Sequence, residues 1–180
     1  MVVFLCVALL VASIAAWTDA RTGHIPNWLT FGALVVGLAA HLLAGVRSGG
    51  GWSGALFGVG YAAGGALLCS VVPLFMYWRG AIGGGDLKLF AALGALCLPM
   101  AGLEVETYAF IAAALIAPAK LAYDGVLLQT LGRSVALVAN PFRKAENRQA
   151  LPPELMTWFR LGPAILVGTA ITLLLHWDLP

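Results

Sequence analysis

The chain has 180 residues, of which 61% are hydrophobic and 10% charged, with a formal net charge of +2. That is far more apolar than the roughly half-apolar, quarter-charged norm of water-soluble domains, so an ordinary soluble fold is excluded. So small a charge, with no basic patch interleaved with aromatic residues, also argues against nucleic acid as a partner.

The apolar residues come in blocks long enough to cross a hydrocarbon core, which takes about 20 residues of helix. Residues 2–18, 27–46, 53–78, 86–103, 105–123 and 161–177 each form a mostly uncharged stretch, giving six candidate spans. A bilayer offers no water to satisfy backbone groups, and the period-2 alternation of a barrel is missing, so the spans are expected to be helices. The expected fold is all-α, a polytopic membrane helical bundle forming one transmembrane domain over residues 1–180, with the lipid bilayer as its solvent.

The first span has Ser13 and Ala15, which would suit a small-x-small cleavage site, but no positive charge precedes it and Arg21 follows it. The segment is therefore expected to stay, with its N-terminus outside. The connection Asp19-Ala20-Arg21-Thr22-Gly23-His24 leads to Ile25-Pro26-Asn27. Proline suits a first helical turn, which places the start of the second span there. The third span carries Gly54, Gly58, Gly60 and Gly64, two small-xxx-small pairs that predict close helix packing.

This orientation puts Arg21, Arg79, Lys88, Arg133, Arg143, Lys144, Arg148 and Arg160 on the cytoplasmic side and only Arg47 outside. Glu104, Glu106 and Asp178 then fall in external turns and the tail, and Lys120 snorkels from the inner end of the fifth span. His41 and His176 lie on the external side with no partner visible in the sequence. Residues 126–139 are apolar but short, with Gln129, Thr130, Arg133 and Ser134 on one side, and read as an interfacial helix. Cys6, Cys69 and Cys97 stand singly in apolar segments, with no CxxC pair for zinc or disulfide exchange, and read as small buried hydrophobes.

Two acidic residues stand out. Asp19 follows the first span at the membrane edge, where its simplest role is a solvated loop carboxylate paired with Arg21. Asp86 follows Gly83-Gly84-Gly85 and opens the fourth span, where it could serve merely as a helix cap. The glycines allow unusual backbone conformations and leave room for another strand of backbone, while a helix N-terminus favours negative charge. In the proposed topology both carboxylates share one membrane depth, and an ionisable residue in that setting is a functional candidate by default. Two carboxylates a few ångströms apart resist ionising together, so one keeps a proton. The charged member can deprotonate a water while the protonated one polarises a carbonyl and helps expel an amine. Sequence does not assign which aspartate starts in which state.

The Asp19-x5-Ile25-Pro26-Asn27 element, followed by Gly83-Gly84-Gly85-Asp86-Leu87-Lys88-Leu89, resembles the prepilin peptidase family of GxGD membrane aspartic proteases, in particular its short CpaA/TadV-like members. The likeness extends to the closing Leu161-Gly162-Pro163-Ala164-Ile165 span. It implies Asp19 and Asp86 as the catalytic pair, Gly83 and Gly85 as support for the site, and no metal or other cofactor. It further implies a type IV pilin-like precursor as substrate, cut after a short basic leader at the cytoplasmic face of the bacterial inner membrane. Larger members carry a cytoplasmic segment with paired CxxC motifs that this sequence lacks, so methyl transfer and S-adenosylmethionine are not expected. Self-association of the chain is left open.

His24, Lys88 and Arg21 flank the pair and read as headgroup or solvent contacts. Lys88, two positions past Asp86, faces another side of a helix and is not expected to pair with it. A presenilin-like protease also uses GxGD, but there a Tyr-Asp precedes that motif. Here Tyr123-Asp124 follows it, and no Pro-Ala-Leu motif is present. The non-enzymatic alternative is a small transporter or assembly subunit whose aspartates carry protons.

Overall fold

The computed structural model describes residues 2–123 and 160–177. These residues are helical, with no strand among them: α1 (Val2–Thr22), α2 (Asn27–Gly45), α3 (Gly51–Leu68), α4 (Val71–Trp78), α5 (Gly84–Tyr123) and α6 (Gly162–His176). Three apolar helical stretches are long enough to cross a membrane, Val2–Thr22, Asn27–Trp78 and Gly84–Ala119, and α6 is a shorter apolar helix. Large apolar side chains such as Leu10, Val35, Leu56, Phe57 and Leu174 point outward on their surfaces. A water-soluble protein rarely exposes so much apolar surface, whereas a bilayer covers it. Trp17, Trp28 and Trp78 are exposed at helix ends, as are Trp52 and Trp177, in the manner of interfacial aromatic belts.

The chain divides into two compact units, Met1–Ala113 with Arg160–Pro180, and Ala114–Phe159. In the second unit the described residues are the helical ones up to Tyr123. The expected interfacial helix over 126–139, the basic residues between 133 and 148, and Asp178 lie outside the described residues.

Within the first unit, both longer apolar stretches fold back on themselves. The first reverses over Val46–Gly50, where Gly49 takes φ 84°. Gly45 thereby meets Gly54, and Gly58 meets the His41 carbonyl, so closely that a Cβ on any of these glycines would collide with backbone. This confirms the packing expected of Gly54 and Gly58. Gly60 and Gly64 have open space beside them instead, and the contact falls on Gly65, which abuts Gly94. The expected third span is also broken in two, between Leu68 and Val71.

The second reversal is at Leu98, whose backbone (φ 66°, ψ 170°) leaves the helix directly before Pro99. Proline's ring disfavours helical geometry in the residue before it. The rings of Phe90 and Phe110 meet at a tilt with centroids 5.4 Å apart, whereas a straight helix rising 1.5 Å per residue would separate them by about 30 Å. From sequence the boundary between fourth and fifth spans falls at Glu104, but the chain turns earlier.

The first arm of this hairpin is the centre of the unit. Leu89, Phe90, Ala92, Leu93, Ala95 and Leu96 are almost wholly buried. α2 approaches the arm at Gly37 against Ala95, and α3 approaches it at Gly65. α6 packs along α1 and meets the second arm through Gly168, set against Val105 and Ala109.

Polar groups expected outside turn out to be tied in. His41 is buried, stacked on Phe4, and its Nε2 lies 2.9 Å from the Leu96 carbonyl. That bond satisfies one carbonyl that the break at Leu98 frees from the helix ladder. His176 pairs with Glu104 at 2.6 Å. Both histidines therefore have the partners that sequence did not reveal. Glu106 is not in an external turn: it lies within α5, buried, with neither carboxyl oxygen hydrogen-bonded among the described residues. Sequence misplaces it because a charge was read as a boundary, whereas α5 carries it past the hairpin into the packed interior.

Candidate active site

α1 runs four residues beyond the first expected span and takes Asp19 into its last turns. Gly23 then ends the helix at φ 67°, a left-handed conformation natural only to glycine, and its N–H donates 2.8 Å to the Asp19 carbonyl. Asp19 is thus a helical residue and 6% exposed, not the solvated loop carboxylate that sequence would first suggest. Nor does it pair with Arg21, whose guanidinium sits 4.1 Å above the Trp17 ring. Pro26 adopts φ −65°, ψ 136° immediately before α2, as expected of Ile25-Pro26-Asn27.

Asp86 stands third in α5, and its Oδ2 accepts the Gly83 N–H at 3.1 Å. This is one half of a capping box, in which an acidic side chain in the first turn reaches back to the amide before the helix. Asp86 is 8% exposed. Gly85 allows the close fit beside it, since a Cβ there would come within 3.1 Å of the Ile25 Cβ.

The last turn of α1 and the first turn of α5 face a common cavity of about 240 Å³, lined by both Asp19 and Asp86 together with Gly83, Gly85, His24 and Lys88. The structure therefore brings together all four residues that sequence singles out. Lys88 does not reach Asp86. Its Nζ donates 2.9 Å to Asn27 Oδ1 and lies over the Phe31 ring.

A further part of the site was missed by sequence reasoning. The Gly162 N–H, at the start of α6, donates 3.0 Å to Asp19 Oδ2, and Arg160 hydrogen-bonds the Ala20 carbonyl. Each aspartate thus has one oxygen held by a backbone amide at a helix N-terminus, α6 for Asp19 and α5 for Asp86, where the helix dipole stabilises negative charge. The available signal was Gly162-Pro163, a glycine and a proline at the first positions of a helix, preceded by an arginine. Among the described residues no group of three or more His, Cys, Asp or Glu side chains could hold a metal ion.

A model of the type IV leader peptidase family matches residues 4–118. The chain belongs to that family. The matched residues of this leader peptidase family member include Asp19, Asp86 and the glycines between α4 and α5, and stop short of Arg160 and Gly162. No curated protein and no solved structure matches the chain.

Proposed function

We propose that this leader peptidase family member is an aspartic endopeptidase that removes the short leader of type IV pilin-like precursors. The observation that carries the reading is the convergence of Asp19 and Asp86 on one cavity in a chain of this family. In the mechanism, one carboxylate takes a proton from a water held between the two, and that water attacks the scissile carbonyl. The protonated partner donates a hydrogen bond to the carbonyl oxygen, and the proton gained from water passes to the departing amine. The pair needs no group other than these two side chains and water.

The surroundings favour a peptide substrate. Gly83, Gly84 and Gly85 line the cavity beside Asp86, so part of its wall is backbone, which an extended chain can meet with backbone hydrogen bonds. The amides that hold Asp19 Oδ2 and Asp86 Oδ2 restrain each carboxylate from one side, which suits groups whose geometry must be fixed before reaction. A site at the membrane edge of such apolar helices suits a membrane-anchored precursor that presents its leader there. We further propose that the chain crosses a bacterial inner membrane six times as one transmembrane peptidase domain, with its N-terminus outside and its site opening to the cytoplasm.

The test is co-expression with a pilin-like precursor. The parent protein is expected to shorten the precursor, and Asp19→Asn and Asp86→Asn are each expected to leave it intact while still inserting in the membrane. Cleavage surviving in either variant would remove that residue from the mechanism.

A further inference from the structure

The first turn of any α-helix has amides with no partner inside the helix. In α6 the second residue is Pro163, which has no N–H, so the Gly162 amide is a donor set just ahead of a rigid turn. That amide meets the Asp19 carboxylate, and the fit leaves no room for a side chain. A Cβ on Gly162 would lie 2.8 Å from Asp19 Oδ2, 2.9 Å from Asp19 Cβ and 3.2 Å from Ala16 Cα. Two residues earlier, the Arg160 guanidinium reaches the carbonyl of Ala20, the residue after Asp19. Two adjacent tethers from the far end of the chain thus grip the turn of α1 that presents Asp19, one on its backbone and one on its carboxylate.

We infer that Arg160 and Gly162 are positioning residues of the proposed peptidase site: Arg160 clamps the end of α1, and the Gly162 amide fixes the Asp19 carboxylate by occupying Oδ2. Oδ1 has no hydrogen bond among the described residues and is the oxygen left to act on water. The inference rests on the leader-peptidase reading and deepens it, because it makes a segment outside the family-matched residues part of the working site. Packing alone is a different role, and α6 supplies its own comparison. Gly168 also lies against backbone, that of Val105 and Ala109, but touches neither aspartate. A change at Gly168 disturbs packing, whereas a change at Gly162 disturbs packing and the carboxylate together.

The experiment uses the full chain, purified and incorporated in lipid, with a pilin-like precursor as substrate. kcat, KM and the melting midpoint are measured for the parent, Gly162→Ala, Arg160→Ala, Arg160→Lys and Gly168→Ala. Isotope-edited infrared spectra record the aspartate carboxyl bands, with the Asp19 band assigned by subtracting Asp19→Asn. A displacement of about 1 Å costs a reaction about 10²-fold, so Gly162→Ala is expected to lower kcat by about that factor while changing KM less than about threefold. The Asp19 band should move in Gly162→Ala and stay in place in Gly168→Ala. Arg160→Lys should restore much of the kcat lost in Arg160→Ala, since an ammonium can still donate to a carbonyl.

Parental kcat and an unmoved Asp19 band in Gly162→Ala overturn the inference, as does an equal band shift in Gly168→Ala. Where Gly162→Ala fails to fold, Arg160→Ala decides: a loss of kcat at unchanged melting midpoint supports the inference, and parental kcat overturns it. A parent that cleaves no precursor sinks the leader-peptidase reading, and the infrared comparison of parent, Gly162→Ala and Gly168→Ala still decides whether Gly162 holds Asp19.

Discussion

Replacing Asp86 by glutamate separates the chemical role of this carboxylate from its role in folding. At the third position of α5 the Asp86 side chain accepts the Gly83 N–H at 3.1 Å. Glutamate is the usual acidic partner at that position of a capping box, so Asp86→Glu should keep the helix cap. The neighbouring cavity of about 240 Å³ has room for one more methylene. Stability is accordingly expected to change by less than about 1 kcal/mol. The reacting oxygens, however, move by up to one C–C bond, about 1.5 Å, against a tolerance of about 0.5 Å for a working site. A displacement of that order lowers kcat by at least about 10²-fold, or about 2.7 kcal/mol at 1.36 kcal/mol per tenfold. The assay is precursor cleavage at saturating substrate, run beside a melting curve of the same sample. A folded Asp86→Glu protein that cleaves within about tenfold of the parent would refute the reasoning. It would favour the proton-carrying alternative instead, in which a longer carboxylate serves nearly as well.

Two further predictions concern the framework of the site. A Cβ on Gly65 would sit 2.2 Å from the Gly94 carbonyl oxygen, a backbone atom on the central helix. Gly65→Ala is therefore expected to destabilise the protein by about 1–3 kcal/mol, read as a lower melting midpoint, and an unchanged midpoint would show that α3 does not press on α5 there. Glu106 buries a carboxyl group with no hydrogen-bond partner among the described residues. Glu106→Leu should raise the melting midpoint by the equivalent of about 1–3 kcal/mol with cleavage intact, and a fall in the midpoint would reveal a partner for that group.

Much of this arrangement is legible in the sequence because apolar length and helix-end chemistry are local signals. The helical class, the start of α2 after Pro26 and the two carboxylates beside their glycines all follow from residues close in the chain. What sequence misplaces depends on contacts across the chain. Glu104 and Glu106 look like a turn because charges usually sit in water, yet Pro99 sets the reversal at Leu98, and one glutamate finds His176 while the other is buried. Gly64 and Gly65 are indistinguishable by composition, and only the rotation of α3 about its axis decides that Gly65 meets Gly94. The bond from Gly162 to Asp19 joins residues 143 positions apart, beyond any periodicity argument.

That long-range bond also bears on how the protein is made. α1 and α5 emerge from the ribosome well before α6, so both carboxylates reach the bilayer while the amide that steadies the first of them has yet to be synthesised. A nascent chain halted ahead of Arg160 would hold every acidic group of the proposed chemistry in a slack arrangement. Docking of the final helix against the first therefore completes the hold on Asp19 only once translation has passed Gly162.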